Sequence, residues 1–130
     1  MKTLTNENDK IIPIFFSTDN NYVPFLAVSI KSLLENASKE YFYNIHVLTD
    51  GLTIENINKL EEHMSENSKL IIDDISKNVE KIKSRLESTL RDYYTPSIFY
   101  RIFIAALYPY YKKAIYLDCD ITVIGDISKM

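Results

Sequence analysis

The strongest constraint on the fold of this 130-residue chain is the alternation of short apolar runs with longer segments of helical spacing. Residues 11–16 form a β-branched and aromatic run that leads into a polar stretch, residues 17–21. Such a run, bounded by polar turn residues, is typical of a buried strand, and further strands are predicted at residues 43–48, 70–72 and 114–117. Strands that alternate with helices predict an α/β domain with a mostly parallel central sheet.

Helical segments are predicted between these strands. Pro24 is typical of a first helical turn, and Thr53 is typical of an N-cap. The apolar stripe predicted for the first helix comprises Phe25, Leu26, Val28, Ser29, Leu33 and Leu34. The helices are predicted over residues 24–37, 54–64, 78–90 and 97–108, although a loop with a single helical turn also fits the third of these segments.

The composition is that of an ordinary globular domain, with 46% hydrophobic residues, 25% charged residues and a net charge of −3. The lack of a basic cluster argues against a nucleic-acid partner. No apolar segment is long enough to span a membrane, residues 1–10 lack the apolar core of a signal peptide, and the single Cys119 suits a reducing compartment. We expect a polar segment, residues 1–10, followed by one domain, residues 11–130, in the cytoplasm or peripheral at the inner face of the membrane.

Two carboxylates, Asp118 and Asp120, follow the last predicted strand directly. We expect both to lie on the continuing strand, so that they project to one side and Cys119 projects to the other. Carboxylate oxygens are the ligands that Mg²⁺ and Mn²⁺ prefer, and phosphates and waters commonly complete the coordination shell. The pattern therefore predicts a metal site that binds a phosphate ester. An acidic strand end without a ligand is the alternative interpretation.

A second polar cluster, residues 17–22, follows the first predicted strand. In a parallel sheet the carboxyl ends of the strands meet at one edge, and ligands bind there. Both polar clusters are therefore expected at the same edge, which favours a binding site over an isolated acidic strand end.

Together the two clusters resemble glycosyltransferase family 8, which comprises retaining sugar transferases with a GT-A fold that use nucleotide-sugar donors, generally UDP-sugars, and Mn²⁺. The resemblance extends over nearly the whole chain. The segments that carry it are residues 18–22, the helix at 25–34, the strand at 45–50, the pair Tyr100 and Arg101, and the D-x-D strand at 115–123.

The resemblance implies roles for the first cluster and for Arg101. Asp19 would recognise the edge of the uracil, and Tyr22 would offer an aromatic face to the base. Thr18 and Asn21 would contact the same nucleoside, and Arg101 corresponds to the donor-site arginine of the family. The alternative interpretation is structural: Asn20 and Asn21 build a turn, Tyr22 packs at the helix start, and Arg101 pairs with a carboxylate.

The resemblance also implies that Asp118 and Asp120 bind Mn²⁺ bridged to the donor diphosphate. Cys119 belongs to the same donor-binding stretch by position, but its chemistry is that of a small apolar residue that points away from the two carboxylates. No residue is assigned as a catalytic nucleophile or base. His46 and His63 lie outside any recognisable ligand motif and are expected to be structural.

The implied activity is transfer of a hexose, such as glucose or galactose, from a UDP-sugar to a sugar, glycan or lipopolysaccharide-type acceptor in bacterial surface-polysaccharide synthesis. Family members extend well beyond the D-x-D strand, so the resemblance implies a truncated GT-A fold, the donor-binding half, with self-association as one way to cover its open sheet edge. A non-catalytic UDP-binding fragment or scaffold module is the main alternative. A haloacid-dehalogenase-like phosphatase, with its D-x-D-x-T motif, is less favoured because that motif opens the domain in its own family.

Overall fold

A computed structural model describes residues 10–75, 104–119 and 121–129, and within them the chain forms a parallel sheet with helices packed on it. The order of the four described strands across the sheet is β3-β2-β1-β4, and each neighbouring pair is parallel. The strands are β1 (Ile11–Ser17), β2 (Phe42–Thr49), β3 (Ser68–Asp74) and β4 (Ile115–Tyr116). The helices are α1 (Val23–Asn36) and α2 (Ile54–Glu61), with short 3₁₀ helices at Asn20–Tyr22 and Ile127–Lys129. The predicted α/β fold with a parallel sheet is confirmed.

The two faces of the sheet bury different sets of side chains, because successive residues of a strand point to opposite faces. Ile14 and Phe16 of β1 and Ile45 and Val47 of β2 join the larger core on the face that also packs α1. Phe15 of β1 and Leu48 of β2 point the other way, and together with Ile104 they form a second, smaller core. The central strands β1 and β2 are therefore covered on both faces, which explains their nearly continuous apolar sequences.

Helix α1 agrees with the predicted range, but its buried stripe differs from the predicted one. Pro24 stands in the first turn, as expected. The buried residues of α1 are Val23, Leu26, Ser29, Ile30 and Leu33. Phe25 and Val28, which were expected in the stripe, are 55% and 58% exposed. The 3.6-residue period explains this, since they lie in a neighbouring row of the helix surface that the sheet does not reach.

Other boundaries also differ from the sequence expectations. Helix α2 ends at Glu61, so Met64 packs against the core from the turn that follows. Strand β3 is longer than residues 70–72 and includes Asp73 and Asp74. The helix predicted at residues 78–90 lies outside the described residues, and of the segment predicted at 97–108 only residues 104–107 are described as helical.

The expectation that the strand continues into the D-x-D sequence is wrong for its described part. β4 pairs with β1 only through Ile115 and Tyr116 and ends there. One further backbone bond, from the Leu117 N–H to the Phe15 carbonyl at 2.9 Å, follows the last ladder pair. Asp118 and Cys119 lie on the loop after the strand, so the alternation of a strand does not determine where their side chains point.

Candidate functional site

The carboxyl ends of β1 and β4 bring the two polar clusters of the sequence to the same edge of the sheet. The two strands are neighbours and run parallel, so the loops that follow them leave the sheet side by side. Ser17 and Tyr116, the last residues of these strands, are joined by a hydrogen bond of 2.7 Å between their hydroxyls. A ligand at this edge can therefore contact both loops at once.

The loop after β1 is held in shape by its own polar groups. The Thr18 N–H donates to the Leu48 carbonyl of β2 at 3.0 Å, and the Thr18 hydroxyl donates to the Asp19 carbonyl at 3.0 Å. Asp19 caps the 3₁₀ helix, because its Oδ1 accepts from the Tyr22 N–H at 3.1 Å. The Asp19 side chain is nevertheless exposed, so this carboxylate is fixed in position and open to solvent.

Asn20 ties the same loop to α2, a contact that the sequence interpretation missed. Its Oδ1 accepts from the Thr53 N–H at 3.0 Å and from the Asn56 Nδ2 at 2.8 Å. Both Asn20 and its neighbour Asn21 are exposed, but Asn20 is attached to α2 by these two hydrogen bonds. The sequence gives little indication of these bonds, because Thr53 and Asn56 lie more than 30 residues from Asn20.

Tyr22 presents an aromatic ring at the start of α1. Tyr22 is 50% exposed as a residue, and its ring centroid lies 5.9 Å from that of Phe25, a residue that is 55% exposed. Exposed aromatic faces of this kind suit stacking on a planar base. The position of Tyr22, three residues after the exposed Asp19, places a carboxylate and an aromatic face on one short loop.

Ser29 of α1 fixes the loop after β4. Its side chain is fully buried, and its hydroxyl donates to the Cys119 carbonyl at 2.9 Å and also contacts the Ile121 carbonyl. These two carbonyls flank residue 120. The sequence interpretation placed Ser29 in an apolar stripe, yet a polar residue in such a stripe indicates a buried partner, because buried hydroxyls are nearly always hydrogen-bonded.

Two further side chains of α1 continue this attachment. The Ser32 hydroxyl accepts from the Val123 N–H at 2.8 Å, and the Asn36 Nδ2 donates to the Val123 carbonyl at 2.9 Å. Together with Ser29 they form a polar row along α1, defined here as the serine row: Ser29, Ser32 and Asn36. The serine row satisfies backbone groups of residues 119–123 that would otherwise need a neighbouring strand.

The remaining predicted site residues fall into two groups. Asp118 is exposed on the loop after β4, and Cys119 is partly buried against the main core. Asp120 and Arg101 lie outside the described residues. Within the described ranges, no three His, Cys, Asp or Glu side chains gather as a metal site. The exposed carboxylate of Asp118 still fits a hard cation, which takes only one or two protein carboxylates when phosphates supply other ligands.

A buried polar cluster lies on the sheet face away from α1, centred on His46. His46 is fully buried and stacks on Phe15 with ring centroids 4.2 Å apart. Its Nδ1 lies 3.0 Å from Asp73 Oδ2, and its Nε2 lies 2.9 Å from the Tyr111 hydroxyl. The Tyr108 hydroxyl donates to Asp73 Oδ1 at 2.5 Å. This burial agrees with the structural role expected for His46.

Burial also affects the tyrosines of this cluster. Desolvation raises the pKa of Tyr108 above its ordinary value, and the hydrogen bond to Asp73 raises it further. Desolvation likewise raises the pKa of Tyr111. Both hydroxyls therefore remain protonated donors at neutral pH, as the hydrogen-bonded cluster requires.

Comparison with known families and proteins gives a consistent result. The model of the family described as glycosyl transferase family 8 matches residues 13–130. General stress protein A of Bacillus subtilis (strain 168) is 31% identical over 124 residues, which are 94% of this chain and 42% of that protein. The chain thus spans less than half the length of this curated relative.

Solved structures support the same fold. The apo structure of the bifunctional glycosyltransferase WbbM matches with a TM-score of 0.73 and 27% identity, over 93% of this chain and 20% of that one. Mouse xyloside xylosyltransferase 1 matches with a TM-score of 0.67 and 20% identity, over 92% of this chain and 46% of that one. The galactosyltransferase LgtC, solved with donor and acceptor sugar analogs, matches with a TM-score of 0.56 and 20% identity, over 91% and 41%. The predicted GT-A fold is confirmed, and the chain is short relative to these structures.

Among the described helices, none combines the length and the apolar character needed to cross a lipid bilayer.

Proposed function

Because the chain belongs to glycosyltransferase family 8, we propose that it forms the donor-binding half of a retaining, Mn²⁺-dependent hexosyltransferase that uses a UDP-sugar. One observation carries this proposal. Loops from two adjacent parallel strands, β1 and β4, leave the same edge of the sheet with Asp19, Tyr22 and Asp118 exposed. A carboxylate, an aromatic face and a cation ligand in neighbouring loops suit a nucleoside diphosphate.

The loop after β1 would bind the nucleoside. A carboxylate can accept from the imide N–H of uracil, and the Asp19 carboxylate is exposed while its cap holds it in place. Stacking of a base on an aromatic side chain contributes roughly 1–3 kcal/mol in other systems, and the half-exposed ring of Tyr22 offers such a face. Thr18 and Asn21 complete the proposed nucleoside contacts.

The loop after β4 would bind the diphosphate through a divalent cation. Asp118 and Asp120 are the proposed ligands, with Arg101 as a further contact to the phosphates or the sugar. A bound Mn²⁺ or Mg²⁺ supplies charge neutralisation at the departing diphosphate. Within the described residues the contribution of the chain is positional: the Ser29 hydroxyl bonds to the Cys119 and Ile121 carbonyls, so part of the loop that carries Asp118 is held in place before the ligand binds.

The acceptor is proposed by class. We propose a sugar, glycan or lipopolysaccharide-type acceptor in bacterial cell-surface polysaccharide synthesis, at a cytoplasmic location or at the inner face of the membrane. Support comes from the nature of the matched proteins: LgtC was solved with donor and acceptor sugar analogs, and WbbM is a bifunctional glycosyltransferase. Self-association is proposed as cover for the short strand β4, which is an outer strand of the sheet formed by the described residues.

A second candidate function is UDP binding without transfer, and one observation favours it. The chain covers only 20–46% of the matched glycosyltransferase structures, and in these folds both substrates must be held for transfer. A binding module and a transferase half share the same donor site, so they differ in turnover and not in UDP affinity.

Calorimetric titration of UDP, in the presence of Mn²⁺ and then of a chelator, tests the donor site. We expect saturable binding that requires Mn²⁺ and prefers UDP to ADP. Asp118→Asn and Asp120→Asn should each weaken that binding roughly tenfold or more. Mutation of a residue that only hydrogen-bonds to a metal ligand commonly lowers metal affinity by about that factor, and loss of a ligand itself should have at least the same effect. Glu35→Gln is the matched control, since it removes one carboxylate from the exposed surface of α1.

The proposal is contradicted if folded wild-type protein binds UDP equally well with chelator present, or if neither Asn variant differs from Glu35→Gln. Release of free hexose or transfer to added sugars, measured with UDP-glucose and UDP-galactose, then separates the transferase from the binding module.

A further inference from the structure

A cavity lies at the amino ends of the strands, away from the proposed donor site. Its volume is about 660 Å³, within the range of small-molecule sites. It is lined by Ile11 and Pro13 from β1, Asn44 from β2, and residues 110–114 that lead into β4. The donor loops leave the opposite edge of the same sheet, so this cavity is not part of the site described above.

Asn44 supplies the first indication that the cavity binds a ligand. The residue is only 7% exposed. It lies near the amino end of the inner strand β2, paired in register with Pro13 of β1 on one side and Lys69 of β3 on the other. Its Oδ1 is buried without a hydrogen-bond partner, the one such side-chain nitrogen or oxygen atom that the structure describes. Buried acceptors are rarely left unpaired, so this oxygen calls for a donor from outside the chain.

The orientation of the Asn44 amide follows from its neighbours. The Asn44 Nδ2 donates to the Tyr111 hydroxyl at 3.1 Å. The same hydroxyl lies 2.9 Å from His46 Nε2, so Tyr111 joins Asn44 to the His46 cluster. The network thus uses the amide N–H₂ and leaves the carbonyl oxygen for a ligand.

Charge supplies the second indication. Lys69, Lys112 and Lys113 line the cavity, and no carboxylate is found among its described lining residues. This concentration of cations contrasts with the net charge of −3 for the whole chain. The sheet register places Lys69 directly beside Asn44, so a cation and an unpaired acceptor lie next to each other. A ligand that meets both carries an anionic group and a hydrogen-bond donor.

Aromatic rings supply the third indication. Tyr108, Tyr110 and Tyr111 line the same cavity, and Tyr110 is 70% exposed. Exposed tyrosine rings combine an apolar face with a polar hydroxyl, which suits the faces and hydroxyl groups of a sugar ring. We propose that this cavity binds an anionic sugar, a sugar phosphate or a uronate, with a sugar hydroxyl donating to Asn44 Oδ1 and the anionic group near the three lysines.

Binding is tested by calorimetry and by amide chemical-shift changes, with glucose 6-phosphate and glucuronate as probes and chelator present throughout. We expect saturable binding of at least one probe, with the shifts centred on Asn44, Lys69 and Tyr110. Neutral glucose and inorganic phosphate, tested alone, should each bind more weakly, because each offers only part of the chemistry. Phosphate that binds as tightly as the sugar phosphate would overturn the assignment of a sugar.

Variants localise the site. The double variant Lys112→Ser/Lys113→Ser should weaken binding roughly tenfold or more, since charge-assisted contacts to two lysines are removed. Both lysines are exposed, so the fold should tolerate the change. Lys31→Ser/Lys39→Ser, at two exposed lysines outside the cavity lining, is the matched control. Tyr110→Ala is an independent variant that removes the exposed ring.

The result that overturns the proposal is an absence of saturable binding by either anionic sugar, or binding that is the same in the cavity variants and the control. This test can fail or succeed independently of the test of the donor site. Asp120→Asn, which should weaken UDP binding, should leave anionic-sugar binding unchanged. In a separate titration without chelator, UDP with Mn²⁺ should likewise fail to compete with either probe.

Discussion

The most informative single substitution is Ser29→Ala, because it tests how α1 holds the loop that carries Asp118. Ser29 is fully buried, and its hydroxyl donates to the Cys119 carbonyl and contacts the Ile121 carbonyl. In the variant the carbonyls of Cys119 and Ile121 lose their contact with this hydroxyl, and the alanine side chain offers no donor in its place. The loop after β4 should then be less firmly attached to the helix.

The magnitude follows from two opposing effects. Removing one partner of a buried hydrogen bond costs roughly 1–3 kcal/mol when the other partner is left unsatisfied. Alanine regains roughly 0.5 kcal/mol through its higher helix propensity. We therefore expect the free energy of unfolding to fall by about 0.5–2.5 kcal/mol. The Mn²⁺-dependent affinity for UDP should fall as well, because the loop that carries Asp118 is less firmly attached to α1.

Urea unfolding followed by far-ultraviolet circular dichroism measures the stability change, and calorimetry measures the UDP affinity. Val28→Ala is the matched control, because Val28 lies one residue earlier on the same helix and is 58% exposed. It should change the free energy of unfolding by less than about 0.5 kcal/mol. If Ser29→Ala and Val28→Ala have the same stability and the same UDP affinity, the argument for the serine row is refuted.

The remaining predictions concern pH. Burial and the bond to Asp73 raise the pKa of Tyr108, so its contribution to stability is fully present below the ordinary tyrosine pKa of about 10 and is lost as the pH rises above it. Tyr108→Phe should be less stable at neutral pH by about 1–3 kcal/mol and should show a smaller alkaline loss in unfolding experiments; an unchanged alkaline loss would contradict this. Hydrogen bonds from the Ser128 hydroxyl, and then from backbone N–H groups, lower the pKa of Asp126, so its contribution is present above about pH 4 and is lost as the pH falls through the lower folded value. The stability difference between wild type and Asp126→Asn should therefore shrink in acid, and a constant difference would contradict the assignment.

Local patterns were sufficient to predict much of the fold. The β-branched run that became β1 and the alternating run that became β2 both gave central parallel strands. The N-cap at Thr53 is also confirmed, since its hydroxyl accepts from the Asn56 N–H at 3.2 Å. These features depend on residues within one or two turns of each other, which is the range over which sequence periodicity is informative.

Features that depend on distant partners could not be predicted. Ser29 interacts with carbonyls about 90 residues away, so its hydroxyl role is invisible in the helical pattern around it. The end of β4 at Tyr116 is equally nonlocal, because the backbone beyond it bonds to α1 in place of a strand. Asn44 was missed because it lies within a largely apolar strand. Its hydrogen bond to Tyr111 and its pairing with Lys69 on β3 depend on the tertiary structure.

The central claim is that the loops after β1 and β4 form one metal-dependent UDP site, and paramagnetic broadening by Mn²⁺ tests it most directly. Amide resonances of the chain are recorded with UDP and a small amount of Mn²⁺, and again in the Asp118→Asn variant. The account predicts that residues 18–22 broaden together with Asp118 and Cys119, that UDP strengthens the effect, and that the variant loses it. Broadening that is centred elsewhere, or that is the same in Asp118→Asn, would contradict the claim.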